Sequence, residues 1–241
     1  MPTPSEVEYL LFPDFLKRMR DKWEPGDHIA LVAPTGEAKT TMMLGLAQTR
    51  RYVLALDIKG GDKTMSATGW PRLESWPLSR DFRKKLEEGE PVRVLIGGPK
   101  RDVESRVRRR ALLRQVLESV MEEGRWTVLC PDLKALTHPK FGGAVDQIEE
   151  LLILARDAGV SVVTDWQRPA GVPREAGDQA RFLGIGYTRD EDVVARLAEM
   201  MGRSRAELRG AITALGALPF GWLIVSRSPR DPIILTKPER I

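Results

Sequence analysis

The sequence predicts an α/β fold in which a mostly parallel sheet is flanked by helices on both faces. Three observations carry that expectation. Short apolar runs rich in branched residues alternate with longer amphipathic stretches along the 241 residues. Gly, Pro or Asp bounds most of these runs, and none approaches the roughly 18–20 residues that would span a membrane. The run His28 to Val32 passes through a loop of small residues straight into the helical spacing of Met42, Met43, Leu44 and Leu46.

Taken in order, residues 5–12 and 14–23 read as a helical lead-in, the second piece opened by Pro13 and closed by Trp23. Glu24-Pro25-Gly26-Asp27 is a turn that delivers the chain into the first buried strand. A second buried strand, 52–57, ends in Asp57-Ile58-Lys59-Gly60-Gly61-Asp62, putting charges and glycines at the carboxyl edge of the sheet. Residues 62–79 read as a loop. Its Trp70 and Trp76 either plug a surface groove or subunit contact, or stack on bases.

A helix near 80–88 leads to the strand 92–96, ended by Gly97-Gly98-Pro99. A long helix follows over about 102–123 and stops at Gly124. It gathers Lys100, Arg101, Arg106, Arg108, Arg109, Arg110 and Arg114, which form either a solvated face or a surface turned towards DNA or a neighbouring subunit. Next come the strand 126–130, Pro131-Asp132, a loop over 134–143, a helix over 145–158 and the strand 160–164. Asp165-Trp166-Gln167-Arg168-Pro169 follows at that strand's carboxyl end. The strand 182–187, helices 190–201 and 204–215, and strands 221–226 and 232–236 complete the pattern, with the last two strands an antiparallel hairpin at one edge. No repeat, low-complexity tract or linker divides the chain, so a single domain is expected.

Composition narrows the classes. A formal net charge of +4 and a pI near 9.3 permit a polyanionic partner. The single Cys130 excludes an internal disulfide and fits a reducing compartment. The beginning of the chain lacks the basic and apolar stretches of a signal peptide, so a cytoplasmic location without membrane insertion is expected. No Cys/His cluster suggests zinc.

The chemistry concentrates in Ala33-Pro34-Thr35-Gly36-Glu37-Ala38-Lys39-Thr40-Thr41. Strand, tight loop and helix, with Lys-Thr at the helix mouth, is the arrangement of a phosphate-binding P-loop. The loop amides and the positive end of the helix would cradle the phosphates of ATP. Lys39 would neutralise the β- and γ-phosphates, and the Thr40 hydroxyl would hold Mg2+. The usual pattern, G-x-x-x-x-G-K-[ST], has glycines where this chain has Ala33 and Ala38. At Ala38 a methyl group is expected to crowd the β-phosphate or widen the loop. An ordinary strand-turn-helix without nucleotide is the alternative.

A nucleoside triphosphatase built this way also needs an acidic residue beyond the P-loop strand and a polar γ-phosphate sensor on a neighbouring strand. Asp132 and Gln167 stand in that order, Asp132 doubling as a metal-site residue. With these residues in place, the chain resembles P-loop ATPases of the FtsK/HerA superfamily over residues 23–236. The resemblance rests on Trp23-Glu24-Pro25-Gly26, Ala33–Thr41, Leu56–Asp62, Asp132, Thr164–Pro169 and Tyr187–Val193. It implies a RecA-like fold, ATP hydrolysis, a homo-oligomeric ring that is commonly hexameric, and double-stranded DNA in its pore, as in genome packaging or conjugative transfer. It further implies an arginine completing the neighbouring subunit's site, with Arg174, Arg181 and Arg168 as candidates. Lys134 and Lys140, on the loop before Gly142-Gly143, would touch DNA phosphates without reading sequence. The family's strand usually ends in Asp-Glu, whereas this chain has Pro131-Asp132. One carboxylate then serves both metal and water, or one role is lost. A degenerate ring or scaffold protein that binds DNA or partners and turns over nucleotide slowly or not at all is the competing expectation.

Overall fold

The computed structural model describes residues 7–58, 62–97, 103–140, 142–168 and 172–239. Among the sequence expectations, Lys59, Gly60, Gly61, Gly98, Pro99, Lys100, Arg101 and Pro169 lie outside the described residues, as does the side chain of Arg106.

Among the described residues, ten strands form one sheet. In chain order the elements begin β1 (Val7–Tyr9), α1 (Phe12–Lys22), β2 (His28–Val32), α2 (Lys39–Gln48), β3 (Tyr52–Leu56), α3 (Lys63–Ala67) and β4 (Arg72–Leu73). Then come α4 (Arg80–Glu87), β5 (Val92–Ile96), α5 (Val103–Glu123), β6 (Thr127–Cys130), α6 (Leu133–Thr137), α7 (Val145–Leu154) and β7 (Ser161–Trp166). The chain finishes with α8 (Glu175–Asp178), β8 (Ala180–Gly186), α9 (Glu191–Met201), α10 (Arg205–Leu215), β9 (Trp222–Ser226) and β10 (Ile233–Thr236). The spatial order is β1-β10-β9-β8-β2-β7-β6-β3-β5-β4. Every pairing from β8 through β4 is parallel, and β9 runs antiparallel to both β8 and β10.

Burial on both faces explains why the central strands read as unbroken apolar runs. Along β2, Ile29, Leu31 and Ala33 join one core with α1, α2 and Met65 of α3. Ala30 and Val32 join the other, with α5, α6, α7, α9 and α10. α2 is buried from Met42 through Ala47, and its Gly45 leaves room for the Phe12 ring, whose Cζ lies 2.4 Å from where a Cβ would stand.

The structure corrects the reading at several points. Residues 7–9, expected to be helical, form β1, whose backbone pairs with β10 in parallel and so lies outside the C-terminal hairpin. Residues 62–79 carry α3 and β4, and Trp76 is a core residue edge-on to Trp126, with ring centroids 6.2 Å apart. α7 ends at Leu154, and β7 continues to Trp166, which places Asp165 inside the strand. The loop over 134–143 begins as the one-turn helix α6. Its glycines serve close packing. Gly142 lies against the Leu136 carbonyl, where a Cβ would stand 2.0 Å away, and Gly143 donates to the His138 carbonyl.

Candidate nucleotide-binding site

β2 sits between β7 and β8, where the chain reverses its progress across the sheet. Ligands of open α/β sheets bind in the crevice outside the strand carboxyl ends at such a point. A cavity of about 980 Å³ lies there, walled by Gly36, Ala38, Lys39, Thr40, Thr41, Asp62, Asp132, Asp165 and Gln167. Residues from β2, β3, β6 and β7, remote in sequence, thus meet at one edge.

The loop between β2 and α2 is held from two sides. The Lys39 ammonium donates to the carbonyls of Ala33 and Pro34 at 2.9 and 2.8 Å, folding back over its own loop. Those carbonyls occupy Lys39 until a stronger acceptor such as a phosphate arrives. Behind the loop, Trp222 of β9 donates its indole N–H to the Glu37 carbonyl. Ala33 is accommodated where the motif has glycine because Gly186 faces it; a Cβ on Gly186 would stand 2.6 Å from the Ala33 Cβ. Ala38 caps α2 with φ 55° and ψ 31°, the left-handed region that favours glycine. Strain in that backbone therefore accompanies the crowding expected of its methyl group. Thr35 and Thr41 line the same cavity.

The carboxylates divide their work. Thr40 donates its hydroxyl to Asp62 at 2.9 Å, and the other oxygen of Asp62 accepts the Thr64 and Met65 amides at the start of α3. Asp62, like Asp165, lines the cavity and was left unassigned by sequence reasoning, although a place at or beyond a strand end was the available signal. Asp57 is buried and paired with Arg72 at 2.9 Å, so its charge is compensated within the fold. Asp132 adopts φ 52° and accepts the Ala135 amide at the start of α6. Its own N–H donates to Asp165 Oδ1 at 2.8 Å.

Gln167 and Arg168 lie on the cavity wall just beyond β7, with Arg168 largely exposed and 4.0 Å from Asp190. Arg174 is exposed and paired with Asp178 at 3.0 Å. Arg181 is not brought to the cavity. It stands at the start of β8, at the opposite edge of the sheet, where Asp27 binds it at 2.6 Å. Lys134 is on the cavity wall beside Asp132 and so faces the nucleotide site, whereas Lys140 is exposed in the turn after α6. In the basic helix, Arg109 donates to the Ile58 carbonyl and Arg110 to that of Pro139, so part of its charge anchors neighbouring loops.

Among the described residues, no group of three or more His, Cys, Asp or Glu could hold a metal ion, and no helix is long and apolar enough to cross a membrane. The oxygen set around Thr40 nevertheless suits Mg2+, which keeps several waters and takes few protein ligands beside phosphate.

No family model matches the chain, and no curated protein matches it by sequence. Solved structures match its fold. The genome packaging NTPase B204 from Sulfolobus turreted icosahedral virus 2, in complex with AMPPCP, has a TM-score of 0.57 at 15% identity, covering 89% of this chain and 99% of that one. The same enzyme with AMP gives 0.59 at 15%, covering 89% and 98%. VirB4 of Thermoanaerobacter pseudethanolicus gives 0.56 at 11%, covering 89% and 90%. The chain thus shares the RecA-like fold of these structures.

Proposed function

We propose that the protein binds and hydrolyses ATP with Mg2+ and couples turnover to the movement of double-stranded DNA as an oligomeric ring. The observation that carries the reading is the meeting of Lys39, Thr40, Asp132 and Gln167 around one cavity at the sheet's carboxyl edge. The fold shared with a DNA-packaging ATPase supports it.

Each residue then has a task. Lys39 leaves the Ala33 and Pro34 carbonyls for the β- and γ-phosphates, and the α2 amides stabilise the same charge. The Thr40 hydroxyl, which now donates to Asp62, would hold the metal, and the metal would supply charge neutralisation on the phosphates. Asp132 orients a water for in-line attack and takes its proton as the bond from the β–γ bridging oxygen to the γ-phosphorus breaks. Gln167 contacts the γ-phosphate and reports its loss. Arg168, exposed on the cavity wall, and Arg174, exposed but outside the cavity, are the candidates to complete a neighbour's site. Lys140, and to a lesser degree Lys134, would touch DNA phosphates.

Pro131 favours a second reading, a degenerate ring that binds nucleotide without turnover, because it removes a carboxylate from the end of β6. ATP hydrolysis measured with and without double-stranded DNA separates the two. DNA-stimulated, magnesium-dependent phosphate release supports the motor. Nucleotide binding with no release under either condition supports the degenerate ring.

A further inference from the structure

β6 runs out at Cys130 into Pro131, a position that offers no carboxylate. A carboxylate reaches α2 from beyond β3 instead. Met65 of α3 is fully buried in the core that also holds Met42, Met43 and Leu44 of α2, so α3 is docked against α2. Asp62 caps the start of α3, its Oδ1 accepting the Thr64 and Met65 amides at 2.8 and 3.1 Å. That cap fixes the carboxylate and leaves Oδ2 to other donors. Thr40, in the first turn of α2, donates its hydroxyl to Oδ2 at 2.9 Å. Both residues line the cavity.

We propose that Asp62 is the carboxylate that serves the nucleotide's Mg2+ from beyond its direct ligands, accepting the Thr40 proton and holding a water of the metal's shell. This rests on the nucleotide reading above. A hydroxyl has one proton and two lone pairs. If Thr40 lends a lone pair to the metal, its proton still needs an acceptor, and Asp62 is already in place at 2.9 Å. The hydrogen bond of the empty site is then the one that the loaded site requires, and it does not have to break. An outer carboxylate of this kind orients the ligating group and raises its basicity. A carboxylate oxygen has two lone pairs, so Oδ2 keeps room for a water beside the Thr40 proton. Asp132 is placed for different work. Its Oδ1 accepts the Ala135 amide at the start of α6, and its own N–H donates to Asp165. With Asp62 serving the metal, Asp132 no longer has two tasks and is left to the attacking water.

The test uses Mn2+ in place of Mg2+, with a non-hydrolysable ATP analogue bound and free Mn2+ followed by electron paramagnetic resonance. Asp62→Asn keeps an oxygen to cap α3, asparagine being as good a cap as aspartate. It turns an amide donor towards Thr40 and loses the charge. Mn2+ affinity should fall by about 10–100-fold, the range for a partner acting on a metal from beyond its direct ligands. Analogue affinity in EDTA should stay within about twofold of wild type or tighten, because a charge of the phosphates' own sign has gone. Asp132→Asn should cost less Mn2+ affinity than Asp62→Asn. Wild-type Mn2+ affinity in Asp62→Asn overturns the inference, as does an equal or larger loss in Asp132→Asn. Parallel losses with Mn2+ and in EDTA also overturn it, since Asp62 would then only shape the loop. If a melting curve shows that Asp62→Asn does not fold, Asp62→Ser, which also caps a helix start, is read by the same criteria. A wild-type protein that binds no analogue with or without metal would instead sink the nucleotide reading, and this inference with it.

Discussion

The indole N–H of Trp222 donates to the Glu37 carbonyl at 3.0 Å, so a strand 185 residues away holds the backbone of the loop before α2. Trp222 is fully buried, and its ring packs in the core under α2. Trp222→Phe keeps most of the apolar volume and removes the donor. The lost hydrogen bond should cost about 1 kcal/mol of stability. A loosened loop should weaken nucleotide binding by up to about tenfold. Thermal melts and calorimetry measure the two effects, and unchanged affinity would confine Trp222 to packing.

Ala38→Gly relieves a left-handed alanine at φ 55°. That conformation costs an L-residue about 1–2 kcal/mol. Glycine returns about 0.4–1 kcal/mol through the greater freedom of the unfolded chain. The relief wins by a small margin, so denaturant unfolding should show a gain of about 0.5–1 kcal/mol. ATP should also bind more tightly if the methyl crowds the β-phosphate. A gain in stability without a gain in affinity would show that the loop already accommodates the methyl.

Gly186→Ala puts a methyl 2.6 Å from the Ala33 Cβ, and both backbones are held, Ala33 donating its N–H to the Trp166 carbonyl and Gly186 pairing with Trp222 of β9. Overpacking of this kind costs about 1–3 kcal/mol. Ala33→Gly removes the opposing methyl and should restore most of that loss in the double variant, with a coupling of about 1 kcal/mol or more. Additive losses in chemical denaturation would mean that the two side chains do not oppose each other.

His28, in the buried strand β2, accepts the Val162 amide through Nδ1 at 3.3 Å. Burial is the main cause that lowers its pKa below the ordinary 6.5; hydrogen bonding to the Asp27 and Leu152 backbones opposes it, the nearby Arg156 lowers it, and the Asp27 charge raises it. A base with a lowered folded pKa binds fewer protons folded than unfolded, so stability rises with pH. Its contribution is complete above about 6.5 and is lost as pH falls from there towards the folded pKa. His28→Gln keeps an acceptor and removes the titration. Melting curves from pH 7.5 to pH 5 should therefore converge towards acid, the variant losing less stability than the wild type. Parallel curves would rule out His28 as the source.

The strand, loop and helix over residues 28–48 were legible in the sequence because their logic is local. An apolar run, a turn of small residues and Lys39-Thr40 at a helix start lie within a few residues of one another and need no distant partner to be recognised. The alternation of strands and helices was legible for the same reason, since burial on two faces writes itself into composition. The short β1 was not, because three residues form a strand only where β10 offers its edge. Nor could periodicity reveal that Trp76 enters the core or that Gly142 is a packing residue. The surroundings of the carboxylates belonged to the tertiary structure. Asp57, Asp62, Asp132 and Asp165 all stand at or near strand ends, and sequence singled out Asp132 while leaving the other three without a role. Parallel pairing of β6 with β7, and the reach of Arg72 to Asp57 and of Thr40 to Asp62, separated them. Hydrogen-bond partners and facing direction are set by which strands lie side by side, and that order is decided by packing the whole sheet.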